Sequence, residues 1–240
     1  NGRRIPIGTA IAVEKGDVLE FGIAEDGCRT YLAVHGGFDV PRVFKSSSTY
    51  LRAGFGGFKG RTLEKGDRIK WKKTDSTFFQ KVKNMRRRWA ISRYFYPPRS
   101  RTVRVMKGRQ FQLFTKESQQ AFFREPFTVT SDSDRMGYRL TGPTLSLTKK
   151  FEMISEGVAF GSIQVPASGD PIVLLADRQT VGGYPKIAQI ATVDFSTIAQ
   201  KKPGDEITFS EITVEEAQML IRRLETEMRL IKASVRLQFR

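Results

Sequence analysis

The sequence predicts a mainly β protein built around a barrel, on three observations. One phrase recurs: Glu14-Lys15-Gly16-Asp17, Glu64-Lys65-Gly66-Asp67 and Lys202-Pro203-Gly204-Asp205 each set Gly-Asp in a turn ahead of an alternating run. The runs reach Phe21, Trp71 and Phe209. The phrase is too short and too unevenly spaced for a solenoid, so it reads as a turn entering a barrel strand, used repeatedly. Short apolar runs also recur between turn residues, at 5–13, 31–34, 101–105, 127–130, 138–140, 162–165, 172–176 and 187–193. Helical signals, by contrast, are few. Residues 116–123 form one behind Thr115 as cap. The clearest is the last, where Thr213 and Glu216 make a capping box ahead of Leu220, Leu224 and Met228 on one face. That amphipathic helix is expected to pack on the barrel; docking on a partner protein is the alternative.

Composition bounds the function. At 240 residues the chain is long enough for a sizeable core, as one β domain or two. No apolar run approaches the length of a membrane span, and nothing resembles a signal peptide. One cysteine, Cys28, rules out an internal disulfide. With one histidine, His35, it also argues against a zinc site or a Cys/His nucleophilic pair. A reducing cytoplasm is the simplest address. Both residues read as structural: His35 ends an apolar strand at a glycine turn, and Cys28 follows Gly27 at another.

The net charge of +16 is concentrated. Residues 68–109 hold fifteen Lys and Arg against one acid, Asp75, a local balance of +14. Phe78, Phe79, Trp89, Tyr94, Phe95 and Tyr96 are interleaved with these cations. Such a segment fits a solvated face, a stacking surface for nucleic acid or a site for an acidic partner protein; a charge run by itself favours the solvated face. It also divides the chain into residues 1–72, a first β domain; 73–109, a basic connector; and 110–240, a barrel domain with the terminal helix.

The most informative stretch is 157–190. Strand-like runs there are joined through Asp177, Arg178, Gln179 and Thr180, followed by Gly182-Gly183-Tyr184-Pro185. A carboxylate, an amide and a hydroxyl at a strand end suit ligand binding, and paired glycines let a backbone come close. The same residues could serve only to satisfy a tight connection.

Four blocks then point to a family. They are GGFDVP at 36–41 with STYLRAGFGGFKGR at 48–61; SDRMGYRLTG at 133–142; GSIQVP at 161–166; and the stretch ending GGYPKIAQI at 182–190. In this order they resemble the family of the 5-oxoprolinase C subunit, also called the Kip-antagonist or allophanate hydrolase subunit 2 family, related to the carboxyltransferase part of urea carboxylase. The resemblance implies a cyclophilin-like barrel. It also implies one component, inactive alone, of an assembly that converts 5-oxo-L-proline to L-glutamate. Its partners there would be a Kip-inhibitor-like B subunit and an A subunit. ATP would be used by the complex, and no cofactor is expected on this chain. Two alternatives come with it: a Kip antagonist, an interaction protein counteracting an inhibitor of a sporulation histidine kinase, and one component of a biotin-dependent carboxyltransferase. Under the last, biotin would arrive on another chain, since Val105-Met106-Lys107-Gly108 lacks the neighbours of a biotinylation motif. Relatives carry a further N-terminal region, expected to be missing here. Ser47 stands where many have arginine.

The implied site draws on dispersed groups. Arg52 and Arg135 are expected to stabilise an anion or oxyanion, and Asp177 and Gln179 to meet the substrate N–H and carbonyl. Ser48, Thr49, Tyr50, Ser133, Asp134, Ser162, Gln164, Thr180, Gly182, Gly183 and Tyr184 complete the substrate-binding set. Arg135 could instead pair with Asp134 or a nearby acid and hold the turn together. No metal is expected.

Overall fold

The computed structural model describes residues 1–74, 76–85, 89–92, 95–96, 100–149 and 153–239. Tyr94 and Arg86 to Arg88 of the basic segment lie outside these residues. The chain divides into two compact units. The first comprises Asn1–Leu19, Thr30–Ala90 and Phe239; the second comprises Glu20–Arg29 and Ile91–Gln238. The expected connector 73–109 is therefore shared between the two.

In the first unit, β1 (Thr49–Tyr50) and β2 (Phe55–Gly56) pair antiparallel around a 3-10 turn at Leu51–Ala53. Helix α1 spans Ser76–Lys83. The runs 5–13 and 31–34, expected as strands, form no ladder; Thr9 makes one bridge, to Ala90. The reason is packing. A strand is stable when a neighbour takes its backbone and a core takes one face, and Ile7, Val13, Tyr31 and Leu32 are all exposed. Turn chemistry holds this unit instead. Asp17 and Asp67 each donate N–H to the carbonyl three residues back and accept that residue's N–H on the carboxylate. Arg61 forks onto Asp67 with two bonds of 2.8 Å.

The second unit is a closed seven-stranded barrel, as the sequence predicts. Its strands are β3 (Thr102–Lys107), β4 (Phe127–Val129), β5 (Gly137–Thr141), β7 (Ser162–Gln164), β8 (Ile172–Leu174), β10 (Lys186–Ile190) and β11 (Glu206–Glu211). They run in the order β10-β3-β11-β4-β5-β8-β7, and β7 closes on β10. Among the described residues only the β3–β11 pair is parallel. Outside the barrel, β6 (Glu156–Gly157) and β9 (Val181–Gly182) form a two-stranded ribbon.

Alternation puts Val103 and Val105 of β3, Val173 of β8, and Ile207 and Phe209 of β11 inside, all buried. Helix α2 (Lys116–Arg124), capped by Thr115 as expected, stacks Phe122 on Phe209 with centroids 4.6 Å apart. Strand β10 stops at Ile190, short of the expected 193. The chain turns there through Thr192–Asp194 into α3 (Phe195–Ala199).

Helix α4 (Val214–Gln238) begins on the expected capping box. Thr213 N–H donates to Glu216 Oε2 at 2.7 Å, and Glu216 N–H to Thr213 Oγ1 at 3.1 Å. Leu220 and Leu224 are half-buried, while Met228 is exposed. Among the described residues no helix is long and apolar enough to cross a membrane.

Candidate functional site

The site is best built outward from β7. Its middle residue, Ile163, points into the core, so period two sends Ser162 and Gln164 outward. Both are nevertheless buried. Ser162 Oγ donates to Gln189 Oε1 at 2.8 Å and accepts from Ala159 N–H. Gln164 is only 5 % exposed because the β6–β9 ribbon lies over it. A Cβ on Gly182 would stand 2.8 Å from Gln164 Nε2, so a larger residue there would push the amide from its present place. Gln164 Nε2 donates to the Tyr184 carbonyl at 3.2 Å, which fixes the amide. Its Oε1 accepts no hydrogen bond among the described residues.

Three residues missed in the sequence complete this polar layer. Lys186 stands directly opposite Gln164 across the β7–β10 pair. Its ammonium meets Glu156 Oε1 at 2.7 Å, and its N–H donates to Gln110 Oε1 at 3.2 Å. Gln110 Nε2 in turn donates to Glu156 Oε1 at 3.1 Å, with Arg109 at 3.5 Å from the same carboxylate. The Lys186 hydrogen bond holds the Glu156 carboxyl below its ordinary pKa, against the cost of desolvation. Lys186 was detectable as a cation opening an apolar strand. Glu156 and Gln110 carried no local signal.

Arg135 and Asp177 meet as a fork: Nε to Oδ2 at 2.8 Å and Nη2 to Oδ1 at 3.1 Å. Asp177 N–H also donates to the Arg135 carbonyl at 2.9 Å. The pair is partly solvated, and the guanidinium lowers the Asp177 pKa. Arg135 thus pairs with the other site candidate, Asp177, and not with the adjacent Asp134. Asp134 Oδ1 accepts the N–H groups of Met136 and Gly137, and Ser133 Oγ bonds the backbone of Arg139. Both hold a turn. Gln179, Thr180 and Tyr184 flank the ribbon in the chain, Thr180 directly before β9 and Tyr184 two residues after it, beyond Gly183.

Ser48, Thr49, Tyr50 and Arg52 belong to the first unit. Ser48 N–H donates to Ser46 Oγ, and Tyr50 meets Phe55 edge-on at 5.6 Å. The glycines after them answer to close backbone packing: a Cβ on Gly60 would lie 2.0 Å from the Gly54 carbonyl oxygen. His35 stacks on Phe78 at 4.3 Å, and Cys28 Sγ lies 3.1 Å from the Lys201 carbonyl oxygen. Several cations of the basic segment are paired within their units: Lys83 with Glu14, Arg101 with Glu206, Arg104 with Asp194 and Lys107 with Glu211. Among the described residues no cluster of His, Cys, Asp and Glu could hold a metal ion.

Known proteins agree with this architecture. The sequence profile of the carboxyltransferase domain, subdomain A and B, matches residues 1–211. A protein of Haemophilus influenzae named as the C subunit of 5-oxoprolinase is 39% identical over 223 residues, 93% of this chain and 69% of that protein. Its Escherichia coli K12 namesake is 41% identical over 212 residues, 88% of this chain and 64% of that protein. The chain thus spans about two thirds of these relatives. Urea amidolyase of Saccharomyces cerevisiae is 27% identical over 240 residues, 92% of this chain but 12% of that protein. The crystal structure of the K. lactis urea amidolyase shares the fold at a TM-score of 0.73 and 24% identity, over 84% of this chain and 13% of that one. The chain belongs to the carboxyltransferase subdomain A and B family, among relatives that include the 5-oxoprolinase C subunits of these two bacteria.

Proposed function

We propose that this chain acts as the C subunit of an ATP-dependent 5-oxoprolinase, opening 5-oxo-L-proline to L-glutamate together with the A and B subunits. One observation carries the reading: two bacterial proteins named as the 5-oxoprolinase C subunit align over 93% and 88% of the chain at 39% and 41% identity. The polar layer supports it. An amide held by its NH2 group presents a fixed acceptor, Gln164 Oε1, suited to a lactam N–H. Lys186 and Arg109 against Glu156 leave a surplus of one positive charge, suited to the substrate carboxylate. Arg135 and Asp177 satisfy each other, so their part is to brace the loop carrying Gln179 and Thr180. A cytoplasmic setting follows from the use of ATP.

Reconstitution tests the proposal. Glutamate formed from 5-oxo-L-proline and ATP by the A and B subunits should depend on this protein. Gln164→Ala should lower the rate by about tenfold or more, the loss expected for one buried hydrogen bond to substrate. Glutamate production that is the same without the protein would reject the function.

A further inference from the structure

A cavity of about 360 Å³ opens on the second unit between α2 and the parallel strands β3 and β11. Nothing in the proposed 5-oxoprolinase role uses it. Its floor is aromatic: the rings of Phe111 and Phe123 have centroids 5.8 Å apart. Its rim is basic, with Lys107, Lys116 and Arg124 facing one acid, Glu211. Glu211 is already committed to Lys107 at 2.8 Å, and the Lys107 ammonium lies 5.1 Å from the Phe111 ring centre. Lys116 and Arg124 have no acidic partner among the described residues. Between floor and rim sits Gln119. Its Nε2 donates to the carbonyls of Phe114 at 2.8 Å and Phe111 at 3.3 Å, so the amide cannot turn. Its Oε1 accepts nothing among the described residues.

We propose that this groove binds a small amphipathic carboxylate, with its apolar body against Phe123 and its anionic head on the basic rim formed by Lys116 and Arg124. The volume lies within the range of small-molecule sites. Covering the half-buried Phe123 ring removes apolar surface from water, which a bare anion cannot do. The Arg124 guanidinium can take one carboxylate with two parallel hydrogen bonds, and Lys116, at the other end of α2, adds to the positive charge of the rim. A polyanion would find Glu211 against it. The fixed Gln119 oxygen adds an acceptor for an N–H or hydroxyl on the ligand body.

Three probes test this on the whole protein: phenylacetate, acetate as the head alone, and benzyl alcohol as the body alone. Calorimetry would give affinities, and backbone amide NMR shifts would locate binding. Phenylacetate should bind saturably with its largest shifts across 116–124, and both part-probes should bind about tenfold more weakly or worse. The double variant Lys116→Gln/Arg124→Gln, at exposed positions that leave the melting temperature unchanged, should weaken phenylacetate by about tenfold or more. Absent saturable binding, acetate binding equal to phenylacetate, or a loss below about threefold in the variant would each overturn the proposal.

Discussion

The two N-terminal copies of the Gly-Asp phrase differ from the third in one respect. All three turns close alike: Asp17, Asp67 and Asp205 each exchange the same pair of hydrogen bonds with the residue three positions before. Gly16, Gly66 and Gly204 have φ of 96°, 93° and 89°, where glycine is favoured. Beyond the turn the copies part. Four residues past each Asp stands an aromatic: Phe21 is 61% exposed and Trp71 65%, while Phe209 is 2% exposed. Only Phe209 belongs to a ladder strand, β11, held between β3 and β4 with Phe122 stacked on its ring. Local sequence decides a turn. A strand also needs a neighbour on its edge and a core beneath it.

Truncating the three aromatics gives the largest test of that contrast. Phe209→Ala should cost about 3–5 kcal/mol in urea unfolding, from lost burial plus the cavity left behind. Trp71→Ala and Phe21→Ala should each stay within about 0.5 kcal/mol, as exposed substitutions do. Three equal losses would break the comparison.

A smaller effect separates the units by pH. Asp67 in the first unit, and Asp177 and Glu156 in the second, have pKa values lowered by their Arg61, Arg135 and Lys186 partners. Groups with depressed folded values stabilise above the unfolded pKa, near 3.8 for Asp and 4.5 for Glu, and lose that stabilisation as pH falls through the folded value. Acidification below about pH 4.5 should therefore lower the melting temperature of the barrel slightly, first through Glu156. Tryptophan fluorescence, from Trp71 and Trp89 of the first unit, should report its loosening only at lower pH, as Asp67 protonates. A barrel melting temperature that rises on acidification would contradict the assigned ion pairs.

The same contrast explains what the sequence made legible. The runs at 127–130, 138–140, 162–165 and 172–176 became strands because each has partners in the closed barrel. The runs at 5–13 and 31–34 look no different as sequence and form no ladder. In the site, Gly182 could be read as a point of close approach, and Gln164 as an amide in an apolar strand. Their layer could not. Gln110 reaches Glu156 across 46 residues and the Lys186 backbone across 76, through strand pairing that no local pattern records. The fork of Arg135 on Asp177 spans 42 residues, so the sequence offered both groups but not their mutual neutralisation.

The proposed function turns on whether Gln164 reads an amide N–H. The direct measurement compares the affinity of the intact protein for 5-oxo-L-proline with that for its lactone analogue, in which ring oxygen replaces N–H, before and after Gln164→Ala. The wild-type protein should prefer the lactam by about tenfold or more, and the variant should bind the two alike. A preference that survives Gln164→Ala would contradict the assignment.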